Sequence, residues 1–265
     1  MSTHFESRRE SDPCNFIEHG FQHLGQLLSA SEVAALRGVS DEHVARCSAP
    51  GPYGQICHNP WTQLPLLKQT IAGILAPVAA QTLGVRQVTL FQDILINKAP
   101  GTATVQWHQD YSYWPLDSPA GVTMWVALED ADRDNGCLRY IPGTHLLGEK
   151  HPANFFVDAE QPRRQGLQDL DAESREKEAI DVPARAGEVL AHHPLVWHMS
   201  PANHSNRHRH AWSITLLAPG VRWAPEHAPH PFQHQFQPHS GKVLPPGDFP
   251  RFRQYRVNRN EVEFI

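Results

Sequence analysis

Residues 105–114 read "VQWHQDYSYW". The segment has the apolar and aromatic content of a β-strand, but two side chains able to ligate a metal, His108 and Asp110, interrupt it. Successive side chains on a strand alternate between faces, so a strand here puts His108 and Asp110 on one face and Gln109 on the other. An imidazole and a carboxylate placed this way can reach one ion if a third ligand arrives from elsewhere. By itself the pair is a weak metal signal, because a surface strand or hydrogen bonding inside a core accounts for it more often.

The flanking sequence supports a mainly β fold. Residues 87–99, "QVTLFQDILINKA", form a strand separated from the first by the breaker "PGT". In "GVTMWVALED" (121–130), Val122, Met124 and Val126 alternate with Thr123, Trp125 and Ala127, as in a strand with two distinct faces. "DRDNGCLRYIPGTH" (132–145) supplies the turn pair Asn135-Gly136 and a short strand. "GEVLAHHPLVWHMS" (187–200) and "RHAWSITLLAPG" (209–220) return to strand character.

Residues 1–84 read as mainly helical. Ser29 and Glu32 have capping-box spacing ahead of an apolar stripe that Gly38 should end. In "LPLLKQTIAGILAPVAAQTLG" (64–84), Pro65 suits a first helical position, Pro77 should kink the helix and Gly84 should stop it. Residues 85–221 form the β core, with a long polar insert near 146–184 that holds one helix at most. Residues 222–265 form a proline- and histidine-rich tail without regular structure. Helices followed by many short strands imply a single domain, a β-sandwich or barrel with helices on one side.

Composition narrows the function classes. A net charge of -5 and a pI near 6.4 do not suggest nucleic acid or an anionic membrane as partner. No apolar run reaches membrane-spanning length and the polar start lacks a signal-peptide core, so a cytoplasmic protein acting on small molecules is expected. Cys14, Cys47, Cys57 and Cys137 have no CxxC spacing and read as free thiols. Eighteen histidines offer many metal-capable groups. Among them His198 closes an apolar stretch, and with His108 and Asp110 it would complete the two-histidine, one-carboxylate set of non-haem Fe(II) sites.

Four segments together carry a family resemblance: "WHQD" (107–110), "TMWVALEDADRDNGCLRYIPGTH" (123–145), "AGEVLAHHPLVWHMSPANHSNRHRHA" (186–211) and "FIEHGFQHLGQLLSASEV" (16–33). Taken together in chain order, they make the chain resemble the phytanoyl-CoA hydroxylase (PhyH-like) family of Fe(II)/2-oxoglutarate-dependent dioxygenases. The resemblance implies a double-stranded β-helix core of the jelly-roll, cupin-like type. It implies His108, Asp110 and His198 as iron ligands, Arg209 as the partner of the distal carboxylate of 2-oxoglutarate, and Ser200 as its support. A guanidinium suits that task because it binds a carboxylate through two parallel hydrogen bonds.

Arg207 is the rival of Arg209 and otherwise a surface or substrate-contacting residue. Gln92 could contact the oxoacid or be purely structural. Tyr111, Tyr113 and Trp114 are candidate substrate contacts or packing residues, whereas Trp125 and Trp197 read as packing. His192, His193, His204, His208 and His210 read as surface or supporting residues. The implied reaction consumes O2 and 2-oxoglutarate, releases succinate and CO2, and hydroxylates a C–H bond of a small or medium-sized metabolite. Asp110 favours hydroxylation over halogenation, since related halogenases have a small residue there. The competing classes are a cupin-fold metalloenzyme without an oxoacid and a non-catalytic ligand-binding member of the fold.

Overall fold

β5 (Gly121–Ala127) is buried along its whole length, yet its two faces meet different neighbours. Val122, Met124 and Val126 enter one apolar cluster, while Trp125 and Ala127 enter another. A strand buried on both faces lies between two layers. In the computed structural model, which describes residues 13–47, 53–150, 175–228, 239–253, 255–258 and 261–264, one layer is helical and the other is a second sheet.

The larger sheet runs β1 (Phe21–Gln26), β8 (Glu188–His192), β5, β10 (Arg209–Leu217), β3 (Gln87–Lys98). The far edge of β3 carries β2 (Gln55–His58) beside one half and β11 (Arg251–Arg253) beside the other. The smaller sheet runs β4 (Val105–His108), β9 (His198–Ser200), β6 (Leu138–Tyr140), β7 (Ile180–Val182). Every pairing is antiparallel. Two such sheets, curled face to face, form the jelly-roll, cupin-like core that the sequence implies. β12 (Tyr255–Asn258) and β13 (Glu261–Phe264) pair with each other.

The helices cover the outer face of the larger sheet. α1 (Pro13–His19) leads into β1, and α2 (Ala30–Cys47) follows it. The capping box at the start of α2 is formed: the Ser29 backbone N–H donates to Glu32 at 2.7 Å, and the Glu32 N–H donates back to the Ser29 hydroxyl at 3.3 Å. Such a cap contributes about 0.5–2 kcal/mol. α3 (Pro65–Thr70), a π turn (Ile71–Leu75) and α4 (Ala76–Leu83) form one continuous helical run. Its Leu67, Ile71, Leu75 and Ala79 pack against Val122, Met124, Ile214 and Leu216 in a single apolar cluster.

Several local expectations need correction. Gly38 does not stop α2, because nothing crowds it and a polar and apolar pattern able to continue the helix follows. At Pro77, where a kink is expected, the helical run departs from regular α geometry: the π turn just before it widens the spiral where the proline ring would meet the preceding carbonyl. Gly84, at φ +65°, does end the run. The first 84 residues also contribute strands β1 and β2, β7 lies in the expected insert, and β11, β12 and β13 lie in the expected irregular tail. Residues 151–174 and 229–238 of the insert and tail lie outside the described residues. Cys57 is disulfide-bonded, so the four cysteines are not all free; Cys137 is buried and free. Among the described residues no helix is long and apolar enough to cross a membrane.

Candidate metal centre and anion pocket

The interior between the sheets is apolar at both ends and polar in the middle. Trp125, Leu138, Tyr140, Leu190 and Ala211 fill one end; Phe91, Trp114, Leu195, Leu217 and Phe249 fill the other. Between them strand register lines up polar side chains from both sheets. On the smaller sheet His108 of β4 stands directly opposite His198 of β9. On the larger sheet a single row crosses four strands: His192, Thr123, Thr215 and Gln92.

Asp110 sits between these two sets. The strand reading of residues 105–114 fails here, because β4 ends at His108 and Asp110 is already helical (φ -60°, ψ -43°), capping the 3-10 turn Tyr111–Tyr113. The convergence with His108 therefore comes from a tight turn at the strand end. Ligand atoms of His108, Asp110 and His198 all lie within 4.8 Å of one another. The carboxylate Oδ1 is 3.7 Å from His108 Nε2 and 3.5 Å from His198 Nε2.

Hydrogen bonding orients all three groups toward one point. Nδ1 of His108 lies 2.8 Å from the Gln106 carbonyl, and Nδ1 of His198 lies 3.0 Å from the Val196 carbonyl. A carbonyl only accepts, so both rings carry a proton on Nδ1 and turn Nε2 to the centre. Burial, with His198 beside it, pushes the His108 imidazolium down to about 3, leaving the ring neutral. Burial opposes ionisation of Asp110, but His198 and the hydrogen bond from His192 more than offset it and hold the carboxyl well below its usual range. Two imidazoles and one carboxylate converging on one point are a donor set that suits Fe(II).

The second half of the site begins two residues along β9, where Ser200 lies about 7 Å from His198 along the strand. Arg209 of β10 stands opposite Lys98 of β3, and both are buried. Lys98 Nζ donates to the Ser200 hydroxyl at 3.0 Å and to its carbonyl at 3.2 Å. Arg209 Nη1 donates to the Gly136 carbonyl at 2.9 Å and to the Ser200 hydroxyl at 3.2 Å. Trp125 supports the guanidinium from its face, 5.4 Å away. Among the described residues neither cation forms an ion pair, and the buried Arg209 Nε has no hydrogen-bond partner. Burial pushes Arg209 down to about 10, and burial beside Arg209 pushes Lys98 down to about 7. Two buried cations without a counterion are costly, and a bound anion is what would relieve that cost.

The Asn135-Gly136 turn builds part of this pocket. Asn135, wholly buried, accepts from the Asp132 N–H and donates to the Asp130 carbonyl, both at 2.8 Å. Gly136 has φ +89°, and a Cβ there would sit 2.6 Å from the Pro201 carbonyl oxygen. Only glycine fits, and its carbonyl is thereby held where Arg209 and Ser200 both donate to it.

The remaining sequence candidates divide. Arg207 is half exposed and pairs with Asp132, outside the Ser200–Arg209 cluster. Tyr111 and Trp114 are buried in the apolar cluster at the far end, with the Tyr111 hydroxyl donating to the Leu116 carbonyl. Only Tyr113 of the three meets the centre, edge-on to His108 at 6.4 Å between ring centroids. Gln92 faces inward on the polar row; Ile94 and Ser213 on the neighbouring row are, like it, only partly buried. Trp197 packs among Trp107, Ile141 and Met199. Sequence reasoning missed Lys98, Thr123 and Tyr140 entirely. For Lys98 and Thr123 the signal is register, which places them beside Arg209 and His192, and no single-strand pattern reveals it.

The Phytanoyl-CoA dioxygenase (PhyH) family model matches residues 39–211, which include the three convergent residues and Arg209. The chain belongs to the PhyH family. A phytanoyl-CoA dioxygenase of Arabidopsis thaliana is 31% identical over 150 residues, covering 55% of this chain and 50% of the relative. This PhyH chain spans about half the length of the curated relatives it matches. Among solved structures, the non-heme alpha ketoglutarate dependent carbocyclase SnoK from nogalamycin biosynthesis superposes with a TM-score of 0.73 at 22% identity, covering 94% of this chain and 97% of SnoK. The epimerase SnoN, solved in complex with Fe3+, alpha ketoglutarate and nogalamycin RO, gives 0.74 at 20% identity over 91% and 97% of the two chains. At that identity these likenesses establish the shared fold.

Proposed function

We propose that the chain is an Fe(II)/2-oxoglutarate-dependent oxygenase that hydroxylates a C–H bond of a small or medium-sized metabolite. His108, Asp110 and His198 would hold the iron, and Lys98, Ser200 and Arg209 the distal carboxylate of 2-oxoglutarate. The observation that carries this reading is the pairing of an anion pocket with the ligand triad on one interior surface. A metalloenzyme without an oxoacid has no use for two buried, unpaired cations beside its metal, and a retained set of deprotonated ligands argues against a non-catalytic role.

When bound, iron and 2-oxoglutarate supply oxidative decarboxylation to succinate and CO2, coupled to oxidation of the substrate by O2. The chain's own residues position and shield. Arg209 and Lys98 orient the co-substrate by its far end, and Ser200 fixes both cations. Gln92 and Ser213 line the inner surface between the two ends, while Tyr113 stands beside His108 where a substrate would approach. The substrate lean towards a free metabolite rests on the lack of a basic patch for a nucleotide-bearing thioester. Hydroxylation is preferred over halogenation because Asp110 keeps a carboxylate at the position a halide would need.

The test is succinate release from 2-oxoglutarate under air with Fe(II) and ascorbate, first alone and then against a panel of metabolites. Turnover stimulated by one compound class, with an oxygen atom added to it, supports hydroxylation. A product of unchanged oxygen content would place the chemistry with epimerisation or ring closure. Neither turnover nor oxoacid binding to the Fe(II) protein would overturn the proposal.

A further inference from the structure

Asp110 lies at a strand end, where no sheet ladder fixes its side chain, yet its two oxygens have different surroundings. Oδ1 faces His108 and His198. Oδ2 accepts from the Thr123 hydroxyl at 2.7 Å and faces His192 Nε2 at 3.1 Å. His192 Nδ1 in turn lies 3.0 Å from the Tyr140 hydroxyl. The direction of this chain follows from its ends. A carboxylate oxygen can only accept, so His192 carries its proton on Nε2; the neutral ring then accepts at Nδ1, and Tyr140 donates. All of His192, Thr123 and Tyr140 are essentially buried, which excludes water as a substitute partner.

Register makes the arrangement specific. Thr123 and His192 are direct cross-strand partners on the larger sheet, and Tyr140 and His198 are direct partners on the smaller one. The Tyr140–His192–Asp110 chain therefore crosses from the smaller sheet to the larger and back to the candidate ligand, and fastens it to both.

Resting on the metal reading above, we propose that His192, held in one tautomer by Tyr140, is a positioning residue that makes Asp110 a one-oxygen metal ligand. Together with Thr123 it occupies Oδ2, so that Oδ1 alone is presented to the ion. This keeps the carboxylate from taking a second coordination position that a bidentate oxoacid and oxygen require. His192 touches neither the metal nor the substrate in this role. Its effect passes wholly through Asp110.

The experiment uses the full chain and Co(II), whose visible absorption reports coordination number, with calorimetry for affinity. His192→Phe should weaken Co(II) binding about tenfold to a hundredfold, the range seen when a ligand's outer hydrogen-bond partner is removed. It should also shift the Co(II) spectrum as Asp110 becomes free to chelate. Tyr140→Phe deletes one hydroxyl and should weaken binding about two- to tenfold with a smaller spectral shift in the same direction. His192→Gln retains an N–H donor and should recover part of the affinity. A merely structural role would lower the metal-free melting temperature and leave the spectrum of the bound metal unchanged. Wild-type affinity and spectrum in both His192→Phe and Tyr140→Phe would overturn the inference; should His192→Phe not fold, the same result in Tyr140→Phe alone does so. No Co(II) binding by the wild-type protein would instead sink the metal reading, and the inference with it.

Discussion

Arg209 and His210 are neighbours on β10 and point to opposite faces of the sheet, into two very different charged regions. On the outer side, a groove of about 670 Å³ between α2 and the ends of β3 and β10 is lined by Arg37, Asp41, Glu129, Arg207 and His210. Its charges pair within the protein: Arg37 with Asp41 and Glu129, His210 with Asp41, Arg207 with Asp132. On the inner side, Arg209 and Lys98 are buried together without any carboxylate among the described residues. The charges of the outer groove are thus partnered within the protein, and the two buried cations of the inner region are not. Unpaired buried charge marks the inner region as the candidate binding place.

The strongest way to break this comparison is at the metal end of the inner region. Asp110→Ala removes the only carboxylate of the triad, and Fe(II) affinity should fall by a hundredfold or more, on the order of 3 kcal/mol, with loss of turnover. Asp41→Ala in the outer groove is the matched control. It should leave metal and oxoacid binding unchanged and alter stability by about 1 kcal/mol or less, because Asp41 itself is exposed. Equal losses in both variants, measured by calorimetry, would erase the distinction.

A second, smaller effect should come from the clamp. Arg209→Ala should raise the 2-oxoglutarate dissociation constant by about tenfold to a hundredfold, the worth of a buried charge-assisted pair, whereas Arg207→Ala should leave it unchanged. The reverse ranking would move the clamp to the exposed arginine.

Lys98 sharpens the comparison through pH. With burial holding its free-state value near 7, the amine is charged below that pH and progressively neutral above it. A bound carboxylate favours the charged amine and raises its pKa, so oxoacid affinity should be flat below pH 7. It should then fall with rising pH, by at most about tenfold per unit, until the bound-state pKa is passed. Lys98→Met should remove this slope. A slope that persists in the variant would assign it to another group. The least effect is expected from Gln92→Leu: about a two- to fivefold weakening of oxoacid binding if its amide contributes one neutral hydrogen bond, and none if Gln92 only lines the surface.

What the sequence made legible follows from the range of the signals. The faces of residues 121–127 were readable because alternation is local. So was the cap at Ser29 and Glu32, which needs only a three-residue spacing. His108, Asp110 and His198 were singled out by residue chemistry and family resemblance and do converge, but the backbone geometry at Asp110 was misread: a turn achieves the same convergence as an i, i+2 strand pair and leaves no distinct pattern. The three- and four-residue strands β2, β7 and β11 were missed because edge strands of that length carry too few alternating positions. Lys98 opposite Arg209 and His192 opposite Thr123 are products of register between strands distant in sequence. Such pairings are set by the assembled sheet, and neither strand alone encodes them.

The central claim is that one interior surface joins a metal centre to an oxoacid pocket. Anaerobic titration of the Fe(II)-loaded protein with 2-oxoglutarate tests it most directly, through the visible metal-to-ligand charge-transfer band of a chelated oxoacid. The account predicts a saturable band in the wild-type protein, no band in Asp110→Ala, and a band needing at least tenfold more oxoacid in Arg209→Ala. Absence of the band in iron-loaded wild-type protein, with no oxoacid binding by calorimetry, would contradict it.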